Sequence, residues 1–114
     1  MKTKEENQRR FEEIQKHYEA ACKKHPVFAH RMDRPVAYNE SHTLKSIRDR
    51  RAREKQCTPK DVLNAEYAEI VEAYVNGNHE HAIYECYDCI AVVLRIVDFL
   101  ERVDILERVG GTNA

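Results

Sequence analysis

Between Thr3 and Lys24 the apolar residues Phe11, Ile14, Tyr18, Ala21 and Cys22 fall three or four positions apart, which predicts an amphipathic helix over about 3–24. Pro26 ends it. The next stretch, HPVFAHRMDRPVAYNESH, carries two prolines and no sustained period, so it reads as an ordered loop, long enough for a binding role. A second helix over about 42–56 has few apolar positions, Leu44, Ile47 and Ala52, within a strongly basic run. That run is either a solvated face with pairs such as Asp49 with Arg53, or a source of one or two cations leaning over an acidic cleft.

The best-signalled element comes third, over about 59–76. Thr58 stands at the N-cap, Pro59 at the first helical position and Asp61 at the third, and Asn76-Gly77 closes the helix. Leu63, Tyr67, Ile70 and Tyr74 form its apolar stripe, and Glu72 falls to the periphery. Asn78 can cap a fourth helix over about 79–108, released at Gly110-Gly111. From Cys86 to Leu100 apolar residues cover most of its circumference, the pattern of a helix buried on more than one side. The exception is a largely polar stripe of His81, Glu85, Asp88, Val92 and Arg95. The expected architecture is therefore a single all-α domain, residues 1–114, with four helices. A second copy is the natural partner for the fourth helix, which predicts a homodimer or homotetramer.

Charge and composition narrow the function. A length of 114 residues limits the core one chain can bury, which also favours association. The formal net charge of −1 offers no bulk attraction to nucleic acid or to an anionic membrane, and neither is an expected partner. No apolar run is long enough to span a bilayer, and MKTKEENQRR lacks a signal-peptide core, so the expectation is a cytoplasmic protein with reduced cysteines. Cys86 and Cys89 form a C-x-x-C downstream of His79 and His81, the raw material of a zinc site. Their place inside a helical run favours core cysteines instead.

Candidate chemistry lies in two acidic pairs on consecutive helices. Glu66 and Glu69 on the third helix, and Glu85 and Asp88 on the fourth, are each three residues apart, so both members of a pair share a face. Antiparallel packing would let the four carboxylates converge. Such crowding is costly unless a cation balances it, and Mg²⁺, a hard ion that prefers oxygen ligands and keeps positions for phosphate, is the natural one. With three glycines in the chain there is no glycine-rich phosphate loop, nor does any serine or cysteine sit in a recognisable triad. Hydrolysis by an activated water fits better than covalent catalysis.

At these residues, EYAE (Glu66, Glu69) and ECYD (Glu85, Asp88) followed by the apolar CIAVVLRIV, the chain resembles the all-α nucleoside triphosphate pyrophosphohydrolases. This is the MazG-like superfamily, which includes the dimeric dUTPases, and the resemblance spans about residues 59–100. KHPVFAHRM is a weaker match to the lead-in of some members. The resemblance implies a four-helix protomer in a dimer or tetramer that hydrolyses a (d)NTP to the monophosphate and pyrophosphate with Mg²⁺, or Mn²⁺ in its place. Glu66, Glu69, Glu85 and Asp88 would be the catalytic, metal-holding residues. The chain departs from the family pattern at Ala65, where many members carry a further Glu, and this bears on how many ions bind. Arg95 and His81 are candidates for substrate contact at the rim. Phe28, His30, Tyr38 and Asn39 are candidates for stacking on or hydrogen-bonding a base, with Phe28 and Tyr38 equally suited to plug the core. The alternative to an enzyme is a helical module that binds a nucleotide or a protein without turning it over.

Overall fold

The computed structural model describes residues 2–36 and 39–110, with 104–110 described by backbone alone. Four α-helices, and no strand, occur among the described residues: α1 (Lys4–Lys24), α2 (Glu40–Arg53), α3 (Pro59–Val75) and α4 (His79–Gly110). Two compact units divide the chain, Met1–Met32 and Asp33–Ala114. The first contains α1, opened by a reciprocal box in which Thr3 and Glu6 each bond the other's backbone N–H. No residue of α1 is buried, and Phe11, Ile14 and Tyr18 of its apolar stripe are each about half exposed or more.

In the second unit α3 lies at the centre, packed against both α2 and α4. Its N-terminus is set as its residues dictate. Thr58 Oγ1 accepts from the Asp61 N–H at 3.4 Å, the Asp61 carboxylate accepts from the Thr58 N–H at 3.0 Å, and Pro59 occupies the first turn. The buried positions on α3 are Ala65, Ala68, Ile70, Val71 and Ala73. Of the expected stripe Leu63, Tyr67, Ile70 and Tyr74, only Ile70 is among them, and Tyr67 is 42% exposed. The physical reason is that one stripe serves a helix with one neighbour, whereas α3 has two. Alanines at the two seams let both partners approach closely. Tyr67 leans outward instead, and its hydroxyl donates to the Asp33 carboxylate, which holds the phenol up to about 12.

Helices α2 and α3 end in the same way. After α3 the N–H of Asn78 bonds the Ala73 carbonyl at 2.9 Å and the N–H of Gly77 bonds that of Tyr74 at 3.0 Å, with Gly77 at φ +78°. After α2 the N–H of Gln56 bonds the Arg51 carbonyl at 2.8 Å and the N–H of Lys55 bonds that of Ala52 at 3.1 Å, with Lys55 at φ +59°. A lysine thus occupies the left-handed position that glycine fills without strain. It stops α2 at Arg53, short of the expected end near 56.

Burial on α4 is one-sided. Ala82 is buried against α3, but Ile83, Tyr84, Tyr87, Ile90, Val93, Phe99 and Leu100 are each about half exposed or more. A helix expected to be covered on more than one side is thus covered on one by the other helices of its own unit. None of the described helices is long and apolar enough to cross a membrane.

The matched helix ends give a paired test. Lys55→Gly should stabilise the fold by about 0.5–1 kcal/mol, and Gly77→Ala should destabilise it by about 1 kcal/mol, both read from denaturant midpoints. Unchanged midpoints in both variants would show that neither left-handed residue controls its helix end.

Candidate metal centre

Packing of α3 against α4 through the short Asn76-Gly77-Asn78 connection brings the two acidic pairs together. Asn78 starts α4, its Oδ1 accepting from the His81 N–H at 3.1 Å. Carboxylate oxygens of Glu66, Glu85 and Asp88 all lie within 4.8 Å of one another. Among the described residues this is the one group of three or more histidine, cysteine or acidic side chains so placed. Glu69 stands beside the trio, hydrogen-bonded to Glu85.

Two carboxylates at such a separation repel by on the order of 3 kcal/mol at an effective dielectric of about 20. The side chains of Glu66, Glu69 and Glu85 are only 17%, 20% and 12% exposed, so water relieves little of this. The protein responds in two ways. One is a proton: burial first, then the hydrogen bond to Glu69 and the negative charge of Glu69 and Asp88, push Glu85 up to about 7. Burial and the charges of Glu69 and Asp88 raise Glu66 as well. The other is a pair of cations from α2. Lys45 Nζ lies 2.7 Å from Glu69 Oε1, and an Arg48 guanidinium nitrogen lies 3.5 Å from Glu66 Oε1. Burial alone would raise Glu69, but the Lys45 ammonium and the proton shared from Glu85 hold it below the usual carboxylate range. Even so, Glu85 Oε2 is buried and no donor reaches it. Its other oxygen, Oε1, lies 3.1 Å from His81 Nε2.

The cations form a ladder. Lys45, Arg48 and Arg51, three residues apart on α2, meet Glu69, Glu66 and Asp61 in turn on α3, so each step forward on one helix is a step back on the other. Arg51 reaches Asp61 at 2.9 Å, adding to the Thr58 hydrogen bonds that lower the Asp61 carboxyl. Of the basic run, two cations therefore lie on the acidic cluster. Asp49 is paired with Arg48 at 3.1 Å.

The remaining candidates fall around this centre or away from it. His81 is an exposed rim residue on Glu85. Arg95 lines a separate hollow of about 300 Å³ with Thr58, Val62, Val92 and Phe99, two helical turns along α4 from Asp88. Phe28 is 98% exposed and plugs no core, and His30 is exposed too. Asn39 precedes α2 at φ +61° and lines a hollow of about 660 Å³ with Arg34, Ser41, Glu72 and Asn76. Tyr38 lies outside the described residues. Ala65 has no exposed surface, so that position is a packing site in the helix seam. The zinc set does not assemble: His79 stacks on Tyr74 at 5.2 Å, His81 serves Glu85, and burial followed by the charge of Glu66 pushes the Cys89 thiol up to about 11. A thiol held that high is neither a ready ligand nor a nucleophile.

The residues that periodicity did not single out are Lys45 and Arg48. Their signal was present as the i, i+3 spacing on α2, which matches that of Glu66 and Glu69 with opposite charge. Comparison of the chain with protein-family models, with curated proteins and with solved structures gave no match.

The raised Glu85 carboxyl has a consequence for stability. The folded protein keeps a proton that the unfolded chain sheds above about 4.5, so this group's stabilisation is complete below that pH and is lost as pH rises to about 7. Melting of the metal-free protein should therefore shift to lower temperature between pH 5 and pH 8, and Glu85→Gln, which keeps the shape and cannot ionise, should flatten the shift. An unchanged slope in Glu85→Gln would place the titrating group elsewhere.

Proposed function

We propose that this chain is a divalent-metal-dependent hydrolase of (deoxy)nucleoside triphosphates, releasing the monophosphate and pyrophosphate, in the sanitation or adjustment of a nucleotide pool. The observation that carries the reading is the convergence of Glu66, Glu85 and Asp88 across two helices, with a buried Glu85 oxygen that has no donor. Acids that only decorate a surface point into water, whereas Glu66 and Glu85 are largely withdrawn from it, with Asp88 at the exposed edge of the cluster. An all-oxygen donor set suits a hard cation, so Mg²⁺, with Mn²⁺ as its substitute, is the fitting ion. Glu66, Glu85 and Asp88 would hold it, with Glu69 beside them as the fourth ligand.

When bound, such an ion polarises a phosphoryl oxygen and stabilises the charge of a departing pyrophosphate. The chain's own residues do the rest. Each ligating carboxylate has a second oxygen, and one left off the ion can take the proton of the attacking water. The packing of α3 against α4 fixes the spacing of the two acidic helices, so the carboxylates are positioned before substrate arrives. We also propose that the chain works as a homodimer or homotetramer, with the uncovered face of α4, including Ile83, Tyr87 and Ile90, packed against a second copy.

A pyrophosphate-release screen across canonical and modified nucleotides with Mg²⁺ or Mn²⁺ should find turnover of at least one. Glu69→Gln and Asp88→Asn should each lower that rate by roughly 100-fold or more while the helical signal is retained. Calorimetric binding of nucleotide with no product across the whole panel would make the protein a binding module instead. For the assembly, sedimentation should report a mass of two or four chains, and Ile90→Lys should reduce it to one. A wild-type protein that sediments as a single chain at micromolar concentration would remove the proposed interface.

A further inference from the structure

The ladder between α2 and α3 is uneven in a way that bears on the acidic site. Its last rung, Arg51 to Asp61, joins a box already closed by Thr58, and Asp61 has no part in the acidic cluster. The other two rungs end on cluster carboxylates. Lys45 is 40% exposed and its ammonium has a second acidic neighbour in Glu72; Arg48 has one in Asp49. Both cations thus have somewhere to go when they leave the cluster.

We propose that Lys45 and Arg48 are resident counter-ions of the acidic site, displaced from Glu69 and Glu66 when a divalent cation binds and then turned onto the phosphates that arrive with it. The inference rests on the metal-site reading above and adds two substrate-positioning residues to it. The physical basis is charge balance. With the Lys45 ammonium on Glu69 and an Arg48 guanidinium nitrogen on Glu66, part of the negative charge of the cluster is already balanced without metal. A divalent ion draws on the same negative charge and on carboxylates that the ammonium and guanidinium hydrogens occupy, so the ion and the two cations compete for Glu69 and Glu66. Once displaced, each cation sits beside an ion whose remaining positions face a polyanion. Arg48 offers a planar fork suited to two phosphate oxygens, and Lys45 a mobile point charge. The third rung holds α2 in place during the exchange.

The same side chain therefore acts with opposite signs on two ligands: it competes with the metal and assists the phosphate. Calorimetric titrations with Mn²⁺ alone, and with pyrophosphate in saturating Mg²⁺, separate these. Lys45→Met should bind Mn²⁺ about fivefold more tightly than wild type and Mg²⁺-pyrophosphate about tenfold more weakly, with Arg48→Met shifted in the same directions. Arg50→Met removes the same charge from an exposed position of the same helix and should leave both affinities within about twofold. The inference is overturned if wild type binds Mn²⁺ and Lys45→Met binds it no more tightly, or if Arg50→Met shifts as much as Lys45→Met, which would reduce the effect to net charge. A wild-type protein that takes up no Mn²⁺ would instead overturn the metal-site reading itself, and this inference with it.

Discussion

Four carboxylates held between two packed helices cannot all be ionised and unpaired at once, and this constraint organises the second unit of the protein. Repulsion of on the order of 3 kcal/mol per close pair is larger than most single contacts in a small domain contribute. The fold answers with the nearest positive charges and with a proton. Lys45 and Arg48 come from α2, and Glu85 retains a hydrogen that its ordinary acidity would give up. The charges of the site are thereby poised close to balance.

That poise depends on the position of α3. Because α2 and α4 both pack on it, its residues divide into two seams with the acids between them. Small side chains at Ala65, Ala68 and Ala73 bring the neighbours close, so the cations of one and the carboxylates of the other reach the same small volume. A larger residue at Ala65, which has no exposed surface, would separate α3 from a neighbour and with it the charges from their partners. Packing and electrostatics are therefore set by the same few positions. The face of α4 turned away from α3 has no such role within the second unit and is largely apolar.

Helix ends were the most legible part of the fold, because their signals are local. Thr58, Pro59 and Asp61 make their cap within one turn, and Gly77 and Asn78 make theirs across three residues. The acidic pairs were legible for a similar reason, since i, i+3 spacing fixes a shared face on any helix. What periodicity could not convey was the number of neighbours of α3. A stripe through Leu63, Tyr67, Ile70 and Tyr74 presumes one, and the second, α2, displaced the burial onto alanines. Polarity hid α2 itself: with only Leu44, Ile47 and Ala52 apolar it reads as a solvated helix, yet it is held to α3 by three ion pairs in antiparallel register. Arg95 shows the limit of a helical stripe, which aligns residues on one face without saying how far along the axis a site extends; the hollow it lines lies elsewhere.

The most direct measurement is a crystal grown with Mn²⁺ and recorded at the manganese absorption edge. The account predicts an anomalous peak among the carboxylate oxygens of Glu66, Glu85 and Asp88, with the Lys45 ammonium withdrawn from Glu69. A Mn²⁺-saturated crystal with no peak at those oxygens, and with Lys45 still seated on Glu69, would contradict it.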